Sequence, residues 1–137
     1  MTEPAGPLVL VVEDSEAIRH AFSLLLEEWG YTVAAAANGE DAIRIAAERA
    51  PDLVLLDLGL PDIPGHDVAR RLKADPATRP IPIVALTGRD EDADREELLA
   101  VGCAAYLLKP VDTQRLMRDL PGYINSLGPS LQLPSAS

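Results

Sequence analysis

Four consecutive apolar residues, Leu53-Val54-Leu55-Leu56, run between Pro51-Asp52 and Asp57-Leu58-Gly59-Leu60-Pro61-Asp62 without polar alternation. A strand wetted on one face alternates polar and apolar side chains. An unbroken run fits a strand buried on both faces, as in a parallel sheet covered by helices. The run stops at a carboxylate, Asp57, and a loop with Gly59, Pro61, Pro64 and Gly65 follows. In open parallel sheets, functional groups collect beyond the carboxyl ends of the strands. Asp57 stands where that rule would place one.

The flanking sequence repeats the alternation of strand and helix. Leu8–Val12 is an apolar run ending at Glu13-Asp14. From Ser15 to Trp29 the apolar residues Ile18, Phe22, Leu25, Leu26 and Trp29 recur at helical spacing, and Gly30 supplies the stop. Tyr31–Ala36 reads as a second strand, and Asn38 caps a helix running to about Ala50. After the third strand, a short helix is expected near His66–Ala74, then a strand over Ile81–Leu86 ending at Thr87-Gly88. A charged helix follows over Arg89–Val101, then a strand over Ala104–Leu108 ending at Lys109-Pro110. A last helix starts at Asp112 or Thr113. Five strand–helix repeats imply right-handed crossovers and a doubly wound α/β sheet.

The composition narrows the function classes. At 137 residues, 47% hydrophobic and 25% charged, the chain reads as one soluble globular domain. A net charge of −10 opposes both sequence-independent nucleic-acid binding and anionic membranes. No apolar run approaches the ~20 residues of a membrane span. The single Cys103 has no internal disulfide partner, so a cytoplasmic setting is expected and Cys103 reads as a small buried hydrophobe.

If the strands are parallel, Glu13, Asp14, Asp57, Thr87 and Lys109 meet at one edge. Hard oxygen ligands crowded together suit Mg²⁺, which shares its octahedron with waters and phosphate. A lysine and a hydroxyl beside that metal suit the oxygens of a phosphoryl group. The constellation reads as an aspartate that accepts phosphate with metal help. Each piece also has an ordinary reading: Asp14 as a helix cap, Thr87 as a loop hydroxyl, Lys109-Pro110 as a turn. The convergence of all of them at one edge favours the chemical reading.

From about Leu8 to Leu127 the chain resembles the receiver domain of two-component response regulators. The resemblance rests on Val11-Val12-Glu13-Asp14, Leu55-Leu56-Asp57-Leu58, Leu60-Pro61-Asp62 with Gly65, Ala85-Leu86-Thr87-Gly88 and Tyr106-Leu107-Leu108-Lys109-Pro110. It implies a flavodoxin-like (βα)5 fold with strand order 2-1-3-4-5 and a receiver over 8–127, while the composition of residues 1–7 and 128–137 reads as flexible ends. It implies that Asp57 accepts a phosphoryl group from a sensor histidine kinase or a histidine phosphotransfer protein. Glu13, Asp14, Asp57 and the Gly59 carbonyl would hold Mg²⁺, or Mn²⁺ in its place. Lys109 and Thr87 would contact the phosphoryl group, with Gly88 leaving the approach open. Tyr106 would turn in response, and the Lys109–Pro110 peptide bond would be cis. The face of the fourth helix, fifth strand and fifth helix would then change its affinity for a downstream protein, in a monomer or weak dimer. The result is a switch rather than a dedicated enzyme.

Three features depart from the pattern. Pro121-Gly122 interrupts the last helix, so a break or kink is expected near Leu120, with a second short turn carrying Tyr123, Ile124 and Leu127. Gly59 and Arg89, each two residues beyond a site residue, occupy positions that tune phosphate lifetime in the family. Their effects oppose, since glycine admits water and arginine can cover the site. Finally, residues 128–137 are too few for an output module, so a stand-alone receiver is expected, with a receiver excised from a hybrid kinase or larger regulator as the alternative. A metal-dependent phosphohydrolase is disfavoured by Gly59, where such enzymes commonly carry a second acid. No phosphate-binding glycine loop follows the first strand, which disfavours a nucleotide site.

Overall fold

The computed structural model describes residues 6–88 and 92–125, with only the backbone course for 92–95. Ten elements alternate along the chain: β1 (Leu8–Val12), α1 (Glu16–Glu28), β2 (Thr32–Ala36), α2 (Gly39–Arg49), β3 (Leu53–Asp57), α3 (Gly65–Ala74), β4 (Ile83–Thr87), α4 (Asp92–Val101), β5 (Ala105–Leu108) and α5 (Thr113–Ile124). The strands form one parallel sheet in the order β2-β1-β3-β4-β5. Both the fold class and the strand order match the expectation from sequence.

The non-alternating strands are buried on both faces. Leu10, Val12, Val54 and Leu56 pack under α2, α3 and α4 with Ala42, Ala46, Val68, Leu72 and Leu98. Val9, Val11, Leu53 and Leu55 face the other way, onto Leu26 of α1 and Leu116 and Leu120 of α5. All four residues of the Leu53–Leu56 run are fully buried. Burying each such side chain contributes about 1.5–3 kcal/mol, which seats β3 firmly under the site residue it carries.

Local chemistry sets the helix limits. Ser15, rather than Asp14, caps α1, its side chain accepting the Ile18 N–H at 3.3 Å. Gly30 and Gly102 end α1 and α4 at positive φ, where Tyr31 and Cys103 N–H groups reach back to the Leu26 and Leu98 carbonyls. Strand β4 starts at Ile83 rather than Ile81. Pro82 has no N–H to give to a ladder, and Ile81 N–H instead closes a turn onto the Thr78 carbonyl. Asp57 and Thr87 are the last residues of their strands rather than the first beyond them.

Of the break or kink expected near Leu120, the break is absent. α5 runs through Pro121 to Ile124, and Asn125 N–H closes onto the Pro121 carbonyl at 3.0 Å. The physical reason lies on its inner face: Leu116 and Leu120 are buried, and Tyr123 and Ile124 pack against the same cluster. Anchoring Tyr123 and Ile124 offsets the missing Pro121 N–H. The expected partner Leu127 lies outside the described residues.

Candidate phosphoacceptor site

Three strands and two loops bring the site together. Residues at the carboxyl ends of β1, β3 and β4, with Lys109 after β5, line an open cleft of about 630 Å³. Its walls include Glu13, Asp14, Asp57, Gly59, His66, Thr87, Gly88 and Lys109. Tyr106 lies elsewhere: half-buried on the edge strand β5, it packs against the α2–α4 side of the core and lines a second groove with Pro110 and Tyr123. Arg89 lies outside the described residues.

Asp57 is 5% exposed, Glu13 3% and Thr87 5%, whereas Asp14 faces solvent. Lys109 Nζ donates to Asp57 Oδ1 at 2.8 Å and lies 3.7 Å from Glu13 Oε1. The Lys109 N–H donates to the Thr87 carbonyl at 2.8 Å, and the Lys109–Pro110 peptide bond is cis. Burial alone would lower the Lys109 ammonium pKa, but the hydrogen bond to Asp57 and the charges of Asp57 and Glu13 outweigh it and raise it. Lys109 therefore stays charged at neutral pH.

The Glu13 pKa is raised as well, which for a carboxyl disfavours the charged form. Burial pushes its carboxyl above the usual range, the Ser15 N–H pulls it back, and the charge of Asp57 pushes it up again. Glu13 Oε2 accepts that Ser15 N–H at 3.1 Å. Among the described residues, its buried Oε1 has no hydrogen-bond partner. One carboxylate oxygen from each of Glu13, Asp14 and Asp57 lies within 4.8 Å of the others. Among the described residues three acids face one lysine, an excess of negative charge. An oxygen-only donor set with a bare buried oxygen fits a hard divalent cation.

Glycines fix the loop beside Asp57. A Cβ on Gly65 would sit 2.5 Å from Leu58 Cα and 3.0 Å from the Asp57 carbonyl, so the start of α3 packs directly on the backbone that carries the acid. A Cβ on Gly59 would meet only Asp57 Oδ2, at 4.0 Å, and one on Gly88 would meet nothing within 4 Å. Position 59 therefore leaves Asp57 uncovered.

Three supporting residues escaped the sequence reading. Arg19 of α1 donates to the Glu13 carbonyl at 2.9 Å and steadies the turn after β1. Asp62 accepts the Gly39 and Glu40 N–H groups at 2.8 and 3.0 Å, tying the loop after β3 to the start of α2. The Gly39 bond leads in holding the Asp62 carboxyl below its usual range. His66 opens α3 on the cleft wall, with Nε2 3.9 Å from Glu97 Oε1 of α4. Arg19 sits beside helical residues that the apolar pattern already claimed. The other two contacts span 23 and 31 positions and leave no local signal.

Residues 9–120 match the response regulator receiver domain family. The chain is 36% identical to the polar-differentiation response regulator DivK of Brucella anthropi, over 85% of this chain and 94% of that protein. It is 43% identical to the transcriptional regulatory protein AfsQ1 of Streptomyces coelicolor over 77% of this chain, and spans about half of that protein (45%). Among solved structures, the receiver domain of the sensor histidine kinase PA1611 of Pseudomonas aeruginosa superposes with a TM-score of 0.81 at 35% identity. That match covers 89% of this chain and 100% of that one, which holds a magnesium ion coordinated in its active site cleft.

Proposed function

Because the chain belongs to the receiver domain family of two-component response regulators, we propose that Asp57 is its phosphoacceptor and that phosphorylation there changes the chain's affinity for a protein partner. Receiver domains are signalling switches, and the donor would be a sensor histidine kinase or histidine phosphotransfer protein. An Asp57 carboxylate oxygen attacks the donor phosphorus as the phosphorus–nitrogen bond breaks, and the electron pair leaves with the donor imidazole. The single observation that supports this most is the 2.8 Å contact between Lys109 Nζ and Asp57 Oδ1 inside a cleft of crowded acids. That contact orients Asp57, and the ammonium offers the incoming phosphoryl oxygens a charge already in position.

Glu13, Asp14 and Asp57, with the Gly59 carbonyl, would hold Mg²⁺, and Mn²⁺ would serve the same oxygens. The ion supplies charge neutralisation for the phosphoryl oxygens as they approach three carboxylates. Thr87, whose backbone already carries Lys109, would give its hydroxyl to the phosphoryl group, and Gly88 leaves the approach open. Tyr106 would respond from β5 and alter the α4–β5–α5 face. Gly59 and Arg89 would set phosphate lifetime in opposite directions. We place the protein in the cytoplasm, away from nucleic acid and membrane, as a monomer or weak dimer. Among the described residues no helix is long and apolar enough to cross a membrane.

A second reading, that the receiver is a module of a longer protein, is favoured by its likeness to the receiver of a sensor kinase and to half of a transcriptional regulator. Both readings share one site and one test. Incubation with Mg²⁺ and acetyl phosphate should give acid-stable, base-labile phosphate on the native chain and none on Asp57→Asn. Equal labelling of the two chains would refute the proposal, and continuous turnover of phosphate esters would favour a hydrolase instead.

A further inference from the structure

His66 stands between two sets of partners. His66 is among the residues that line the cleft holding Asp57, Thr87 and Lys109, and its Nε2 is buried. Its Nε2 is 3.9 Å from Glu97 Oε1, within ion-pair range but beyond a hydrogen bond. The other oxygen of Glu97 is engaged, accepting from Arg70 Nη2 at 2.8 Å, and Arg70 is held in turn by Asp67. The His66 side chain is only 22% exposed, so it is confined to this junction of cleft, α3 and α4. An Asp57 phosphoryl group would bring about −1.5 to −2 of charge and strong acceptor oxygens into the cleft. The phosphoryl group would then compete with Glu97 of α4 for the imidazole.

Resting on the phosphoacceptor reading above, we propose that His66 is a further phosphoryl-contacting residue, and that it exchanges its loose tie to Glu97 for a bond to the phosphoryl group. Phosphorylation thereby releases α4 at Glu97, a route that does not pass through Thr87 or Tyr106. Linkage makes the exchange reciprocal: whatever weakens the Glu97 tie must strengthen phosphoryl binding. The two ends of the tie therefore carry opposite signs.

The test is the affinity of the full chain for beryllium fluoride in the presence of Mg²⁺, read by fluorine NMR as an analogue of the aspartyl phosphate. His66→Leu should weaken binding about tenfold, the scale of one hydrogen bond to a charged group. His66→Gln, which keeps an N–H donor, should recover most of that loss. Glu97→Gln should tighten binding about threefold in the native background, the scale of one weak ion pair. In the His66→Leu background it should do nothing, because no imidazole is left to release. Hydrogen exchange in α4 should rise on adding beryllium fluoride to the native chain and stay unchanged in His66→Leu. Equal affinity across all variants would overturn the inference and leave the phosphoacceptor reading intact. So would tightening by Glu97→Gln in both backgrounds, which would mark a general charge effect. Failure of the native chain to bind beryllium fluoride at all would refute the phosphoacceptor reading itself.

Discussion

Glu13 is a carboxylate that the fold holds at a cost: it is buried, beside Asp57, with one oxygen that has no hydrogen bond among the described residues. Its pKa is raised in the folded chain, so its favourable contribution is present below the ordinary value of 4.5 and is lost as pH rises through the folded value. Glu13→Gln should therefore make the chain more stable at pH 7, by about 1 kcal/mol in urea unfolding, with the gain vanishing below pH 4.5. The same variant should bind Mg²⁺ more weakly, which separates a metal ligand from an ordinary buried acid. Gly65 makes the opposite case, a residue whose absence of side chain supports the site. Gly65→Ala forces a Cβ to 2.5 Å from Leu58 Cα and should cost about 1–3 kcal/mol in the same assay.

At the scale of elements, the start of α2 is capped twice. Asn38 caps it from its own chain segment, and Asp62 caps it from the loop beyond β3. The Asp62 carboxyl is held below its ordinary 3.8, so its contribution is present above that value and is lost as pH falls through the folded one. Asp62→Ala should lower the thermal midpoint at pH 7, and the gap to native should close in strong acid. An unchanged midpoint at pH 7 would show that Asn38 suffices. In α5, Pro121→Ala restores an N–H for the Met117 carbonyl and should add about 1–3 kcal/mol, read as a rise in urea midpoint. Pro121 also shows where local propensity misleads. The expected break assumed a helix judged by its own residues, whereas the burial of Leu116, Leu120, Tyr123 and Ile124 against β1, β3 and β4 decides its course. Strand ends were misjudged for a related reason, since the ladder depends on which N–H groups a neighbour can use, as at Pro82.

For the whole molecule, the alternation of unbroken apolar runs and amphipathic helices made the fold readable. A parallel sheet buries both faces of its strands, and that burial is written directly in Leu53–Leu56 and Ile83–Leu86. The cleft was readable because parallel strands deliver their last residues to one edge, which places Glu13, Asp57 and Thr87 together. What sequence withheld is the second tier. Asp62 and His66 reach partners far away in the chain, Arg19 reaches back to Glu13 from a helix face the apolar pattern already claimed, and Tyr106 sits where only the packing of β5 puts it. The central claim, that this architecture exists to phosphorylate Asp57, is tested most directly by mapping phosphate on the intact chain by mass spectrometry. With Mg²⁺ and acetyl phosphate, one phosphoryl group should appear on the native chain, located at Asp57, and it should be lost when the metal is chelated. No adduct, an adduct at another residue, or full labelling without a divalent ion would contradict the account.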